Sequence, residues 1–354
     1  MKPRFSTRDI LLDEILSQPR TLRAILNRHR EDEELLWPKG DSRQRKTYDL
    51  VLLTGMGTSY FALYPACIHL NERGVPAIML ETSELLHYHS DLVTDRVMVV
   101  LVSQSGETVE ARKLLNKVGS RTFVVGVTND PESHVAANSD LAIALCAGPE
   151  SGPASKSYTA SLAVLLLWAV ALTSDLSSQQ IEGVLAATEA MAGFLEGWEE
   201  PVNRLSKFLG EPAGVTLLGR GPSLASAQAG SLILKEVAKL QSEAMSAGQF
   251  RHGPLEIAAP GFAAFVFAPE GKTKHLNLRL ARDIAEFGGK VILVSGDAGP
   301  RHDRIFDLAL PALEELYAPI AEIVPLQLLA RKMALDKGLQ PGKFDKAGKV
   351  TRAE

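Results

Sequence analysis

The chain has 354 residues, 45% of them hydrophobic and 23% charged, which excludes extensive disorder and leaves room for two domains of ordinary size. Its formal net charge of -4 carries no basic surplus, so nucleic acid is not an expected partner. Residues 1–9 lack an apolar signal core and the longest apolar stretch, residues 162–172, is too short to cross a bilayer, so a cytoplasmic protein with no membrane partner is expected.

Residues 1–45 set Ile10, Leu11, Ile15, Leu22, Ile25 and Leu26 among charges, the pattern of amphipathic helices bracing a larger body. From residue 48, strand-like and helix-like stretches alternate at 50–53, 60–73, 77–80, 97–102, 109–118 and 122–127, as in a parallel sheet wrapped by helices. After the first strand comes Gly55-Met-Gly-Thr-Ser59. It lacks the third glycine of a dinucleotide fingerprint, and its glycines are equally explained by a tight turn. Residues 97–102 fit a fully buried strand, and Ser103-Gln-Ser-Gly-Glu-Thr108 then opens a helix. Unpaired amides and the helix dipole there favour an anion, and Ser103, Gln104, Ser105 and Thr108 add uncharged donors, which suits a phosphate. The plainer reading has Ser105 capping the helix and Thr108 in its first turn.

An apolar helix at 158–171, a polar stretch at 173–180 and a further helix to about residue 209 follow, and then the pattern restarts. Leu53-Thr-Gly-Met-Gly-Thr-Ser59 returns as Leu217-Leu-Gly-Arg-Gly-Pro-Ser223, and Gly106-Glu-Thr108 as Gly271-Lys-Thr273 after an apolar strand at 263–268. In the second copy Phe267 and Pro269 stand near the positions of the Ser103 and Ser105 hydroxyls, so the first copy has the better anion site. Glu236 lies in a helical pattern over 232–240 beside Lys235 and Lys239, by charge alone a solvated face. His252 sits where Gly253 and Pro254 break the structure, a loop position suited to proton transfer. Lys349 lies in a stretch with the look of a mobile terminus. Cys67 and Cys146 have no metal or redox spacing and read as buried thiols.

Taken in order, Gly57-Thr-Ser59, Ser103-Gln-Ser-Gly-Glu-Thr108, Ser155-Lys-Ser-Tyr-Thr159, Gly219-Arg-Gly221, Lys235-Glu236, Arg251-His-Gly-Pro254 and Lys349-Val-Thr351 resemble the sugar isomerase (SIS) family. Within it the resemblance is to the branch holding the isomerase half of glucosamine-6-phosphate synthase and the SIS-type amino-sugar-phosphate deaminases. It implies an α/β fold of two tandem SIS domains, each a five-stranded parallel sheet flanked by helices in a flavodoxin-like three-layer sandwich. The expected division is a helical brace at 1–45, SIS domains at 46–185 and 186–338, and a catalytic tail at 339–354.

The resemblance further implies that Glu236 moves a proton between sugar carbons 1 and 2, that His252 opens the ring from the neighbouring subunit of a homodimer, and that Lys349 meets the open-chain carbonyl. Phosphate would rest on Ser103, Gln104, Ser105 and Thr108, with Gly57, Thr58, Ser59, Ser155 and Lys156 lining the sugar site. No metal or organic cofactor is expected. The chain starts Met1-Lys-Pro3, without the N-terminal cysteine of a glutaminase domain, so the expected activity is deamination of a hexosamine 6-phosphate, such as glucosamine 6-phosphate, to a ketose 6-phosphate and ammonia. A fructosamine-6-phosphate deglycase, another phosphosugar isomerase and a non-catalytic phosphosugar sensor are the alternatives. Three departures from the synthase pattern stand out: Ile233 replaces a lysine one turn before Glu236, the loop ahead of Ser155 is one residue shorter, and residues 344–348 lack an arginine-containing lead-in, which makes Lys346 an alternative to Lys349.

Overall fold

The computed structural model describes residues 9–32, 35–37, 48–174, 178–346 and 348–351. They form two compact units, one comprising Arg20–Glu150, Lys156–Leu185 and Lys346–Glu354, the other Met1–Pro19, Ser151–Ser155 and Ala186–Asp345. We call them the first and second unit. Helix α1, Ile10–Glu31, contributes to both, and the division falls after its internal Pro19. Leu11, Ile15, Leu22, Ile25 and Leu26 are buried as the periodicity requires, whereas Ile10 is 51% exposed.

The first unit is built on strands β1 (Leu50–Gly55), β2 (Ala77–Glu81), β3 (Val97–Val102), β4 (Phe123–Thr128) and β5 (Leu141–Ala144). They form one parallel sheet in the order β2-β1-β3-β4-β5. Every residue of β3 is buried, which is why its sequence is an unbroken apolar run rather than an alternation. Helix α5, Val109–Val118, lays Ala111, Leu114, Leu115 and Val118 against Val99 and Leu101 of that strand. Burial of a leucine in such a place contributes about 1.5–3 kcal/mol.

The stretch expected to be one helix at 60–73 is two, α2 (Thr58–Phe61) and α3 (Leu63–Glu72), joined at Ala62. After α4 (Thr82–His87) and α6 (His134–Ala137), helix α7 runs Lys156–Thr173, longer than its apolar core suggested. Its 18 residues pass a length and composition test for crossing a membrane, yet 78% of them are buried within the protein, Tyr158, Leu165 and Trp168 among them. A helix apolar on all sides is what a core position demands.

Strands β6 (Val215–Gly219), β7 (Ser242–Ser246), β8 (Ala263–Ala268), β9 (Lys290–Ser295) and β10 (Ile305–Ala309) make the second unit's sheet, ordered β10-β9-β8-β6-β7, the same arrangement repeated. Around it lie α8 (Ser178–Leu195, shared across the division), α9 (Glu199–Leu209), α10 (Leu224–Ala238), α11 (Ala247–Phe250), α12 (Lys274–Glu286) and α13 (Pro319–Asp336). Gly230 of α10 lets that helix approach closely, since a Cβ there would fall 2.6 Å from Leu326 of α13 and 2.8 Å from Leu217 of β6.

Cys146 corrects the expectation of two buried thiols. Just past β5 the chain turns with Cys146 at φ 53°, which lifts it into solvent, and its sulfur accepts a hydrogen bond from Arg28 Nη1 at 2.9 Å. Cys67 is half-buried, and burial pushes its thiol up to about 11.

Candidate active site

In a sheet ordered 2-1-3-4-5 the chain leaves β1 and β3 in opposite directions, and the crevice between their carboxyl ends is where ligands bind in open α/β folds. Here Gly55 pairs with Val102, so the two strands end level and both loops rise from one place. Gly55 is needed there because a Cβ would lie 3.0 Å from Tyr60 N and 3.1 Å from the Val102 carbonyl. Gly57, with φ 54°, turns the chain into α2, whose first residues are Thr58 and Ser59, all half-buried.

The β3 loop folds on its own hydroxyls. Ser103 Oγ accepts from the Gly106 N–H and Ser105 Oγ from the Glu107 N–H, each at 3.2 Å. Thr108 is the N-cap residue of α5, but its hydroxyl makes no capping bond and lies 3.5 Å from Ser103 Oγ. The plainer sequence reading is therefore corrected: Thr108, not Ser105, holds the cap position. Gly106 at φ 66° passes so near Ser133 that a Cβ would collide with its hydroxyl. Glu107, the loop's one acid, accepts from His134 N and Arg112 Nη1, both at 2.6 Å. The His134 bond first, then Arg112, hold its carboxyl below the usual range.

The terminus expected to be mobile is seated on this same unit. The Val109 N–H, first in α5, donates to the Thr351 carbonyl at 3.3 Å. Lys349 Nζ donates to Glu150 Oε2 at 2.7 Å, with Lys349 23% exposed and the Glu150 side chain fully buried. Glu150 also accepts from Ser157 N at 3.1 Å and Ser157 Oγ at 2.5 Å, in the first turn of α7. Lys156 opens that helix half-buried, and Ser155, buried, precedes it. Lys346 is exposed.

Glu150 is absent from the sequence-derived set of site residues. Its one signal was a lone acid in a Gly-Pro loop just ahead of the Ser155-Lys-Ser-Tyr-Thr159 motif, while the Thr351 contact is through backbone and leaves no signature.

Glu236 and His252 belong to the second unit. Glu236 sits near the end of α10 and is half-buried, while Lys235 and Lys239 are exposed, so it is not the solvated face its neighbours suggested. Ile233, one turn earlier, is buried at 3% exposure. His252 is exposed in a turn, its N–H donating to the Gln249 carbonyl at 2.9 Å, and Arg251 beside it pairs with Asp283 at 2.6 Å.

The second unit's counterpart of the phosphate loop is occupied by protein. A Cβ on Gly271 would fall 2.2 Å from a carboxylate oxygen of Glu315, so that carboxylate already lies against the loop before α12. Lys274 is committed to Glu270 and Asp297. Among the described residues, no group of three or more His, Cys, Asp or Glu side chains is arranged to hold a metal ion.

A family model for the SIS domain matches residues 49–171 and 212–336, one match on each sheet. The chain belongs to the SIS domain family. Both SIS domains have the duplicated order seen above, with Thr108 and Thr273 as equivalent N-caps. Over 339 residues the chain is 33% identical to a glutamine–fructose-6-phosphate aminotransferase (isomerizing) of Pyrococcus horikoshii, covering 94% of this chain and 55% of that one. It thus spans about half the length of the curated relatives it matches. Among solved structures, the C-terminal domain of glucosamine-fructose-6-phosphate aminotransferase from Francisella tularensis superposes with a TM-score of 0.84 at 26% identity, covering 96% of this chain and 99% of that one. A glucosamine-6-phosphate deaminase from Thermotoga maritima, at 20% identity, shares the fold with a TM-score of 0.76, over 97% and 99%.

Proposed function

We propose that the protein is an isomerising amino-sugar-phosphate deaminase acting in the cytoplasm as a homodimer. The observation that carries this reading is the placement, on one unit, of a hydroxyl-lined loop at the switch point and a lysine-bearing tail tied to the helix that follows it. A phosphate on Ser103, Gln104, Ser105 and Thr108 would anchor one end of a hexosamine 6-phosphate. Lys349 would meet the open-chain carbonyl at the other, as a cation beside the developing oxyanion.

The family resemblance supplies the remaining roles. His252 opens the ring, and Glu236 takes the proton from carbon 2 and returns it to carbon 1. The product of that transfer carries its nitrogen as an imine at carbon 2. Water adds there, ammonia leaves, and a ketose 6-phosphate remains.

The test is an assay of ammonia and ketose 6-phosphate from a panel of hexosamine 6-phosphates, run beside fructosamine 6-phosphates. Ammonia from the former supports deamination. Aldose–ketose exchange without ammonia would make the protein a plain isomerase. Amino-acid release from the latter would make it a deglycase, an outcome that the buried Ile233, in place of the lysine of the synthase pattern, keeps in view.

A further inference from the structure

The tail poses a physical problem. A lysine has four rotatable bonds, and Lys349 lies in no helix or strand that would hold it, yet a group that must meet a carbonyl has to be placed within a fraction of an ångström. Glu150 answers it. Its side chain is fully buried, and a buried carboxylate stays ionised only with donors on its oxygens. Two come from the amino end of α7, the Ser157 N–H at 3.1 Å and hydroxyl at 2.5 Å, where the helix dipole also favours negative charge. The third is Lys349 Nζ at 2.7 Å. The anion is thus fixed by rigid structure, and the lysine is held to it.

Glu150 is itself tied to the phosphate loop. The Gln104 carbonyl accepts from Asn129 N at 3.0 Å, and the Asn129 side chain accepts from Ala147 N at 2.8 Å and donates to the Gly148 carbonyl at 2.9 Å, two residues before Glu150. A second route, Val109 N–H to the Thr351 carbonyl, joins the tail to α5 directly. We propose that Glu150 is a positioning residue that ties Lys349 to the first turn of α7, and so places its amine to meet the carbonyl of a sugar whose phosphate rests on the hydroxyl loop. This rests on the reading of Lys349 as the group that meets the carbonyl.

Glu150→Gln keeps the side chain's size and an acceptor for Ser157 while removing the charge. It should lower kcat ~10-fold or more with KM for the sugar phosphate within about twofold. Added to Lys349→Ala, it should cost nothing further, because a residue acting through another has no effect once that other is gone. Hydrogen exchange gives a readout independent of turnover: Lys349→Ala, which leaves the core untouched, should speed exchange of the Val109 amide by releasing the Thr351 carbonyl, and Glu150→Gln should do the same. An additive loss in the double variant, a wild-type kcat in Glu150→Gln, or a Val109 amide unchanged in Lys349→Ala would each overturn the positioning role. A wild-type protein inert on every phosphosugar would instead overturn the functional reading on which it rests.

Discussion

Ser103, proposed above to meet the phosphate, is nearly closed to solvent. It is 4% accessible, one face of its hydroxyl is used by the Gly106 N–H, and it still shares the loop with Thr108 Oγ1 at 3.5 Å. Hydrogen bonds to a charged group are each worth about 1.5–3 kcal/mol, so Ser103→Ala combined with Ser105→Ala should raise KM for a sugar 6-phosphate ~10²-fold or more with kcat far less affected. An unchanged KM would remove the phosphate from this loop. Glu322 is the second residue with a sharp expectation. It is fully buried in α13, accepts from Ser223 Oγ at 2.9 Å and Ser226 Oγ at 2.5 Å, and burial pushes its carboxyl up to about 7 despite both bonds. A raised carboxyl binds its proton more tightly in the folded state, so stability falls as pH rises from the ordinary carboxylate range to about 7 and the loss is complete above it. Glu322→Gln should therefore gain stability relative to wild type between pH 5 and pH 8, on the order of 3 kcal/mol, read as a widening gap in melting temperature. A gap constant with pH would mean that the carboxyl titrates normally.

Among the elements, the tail is where sequence habit and structure part most clearly. Chain ends rich in lysine and glycine are commonly loose and inert, and the pattern over residues 343–352 gives no reason to except this one. In the fold, however, Lys349 pairs with Glu150 and the Thr351 carbonyl accepts from the Val109 N–H, both within the first unit, while Lys346, three residues before Lys349, is exposed. Lys349→Ala should reduce turnover ~10²-fold or more. Lys346→Ala should be mild. Equal effects at the two positions, measured as kcat, would show that the tail acts through general charge and not through one placed amine.

For the whole molecule, duplication made two similar SIS domains and the loops then went separate ways. Before α5 the loop offers hydroxyls, whereas before α12 the Glu315 carboxylate lies on Gly271, so an anion arriving there meets a charge of its own sign. Assembly is the matching expectation at this scale. If a homodimer shares its sites, with His252 given by the neighbouring subunit, then mixing Glu236→Gln with His252→Ala subunits and allowing exchange should restore part of the activity lost in each parent. Proven heterodimers without recovery would mean that each subunit completes its own site.

Much of the fold was legible because parallel sheets covered on both faces write themselves as uninterrupted apolar runs. β3 is such a run, and the glycine pairs Gly55 and Gly219, Gly57 and Gly221 mark both copies of the same turn. The hydroxyl loop was legible too, since donors at a strand-to-helix junction are local chemistry. What the sequence left undecided depends on partners distant in the chain. Whether Ser105 or Thr108 caps α5 turned on loop geometry, and whether Cys146 is buried turned on one residue's φ. That Lys349 pairs with Glu150, 199 residues away, was not to be read from the sequence, because only the folded chain brings a buried carboxylate, the first turn of α7 and residues 349–351 to one point.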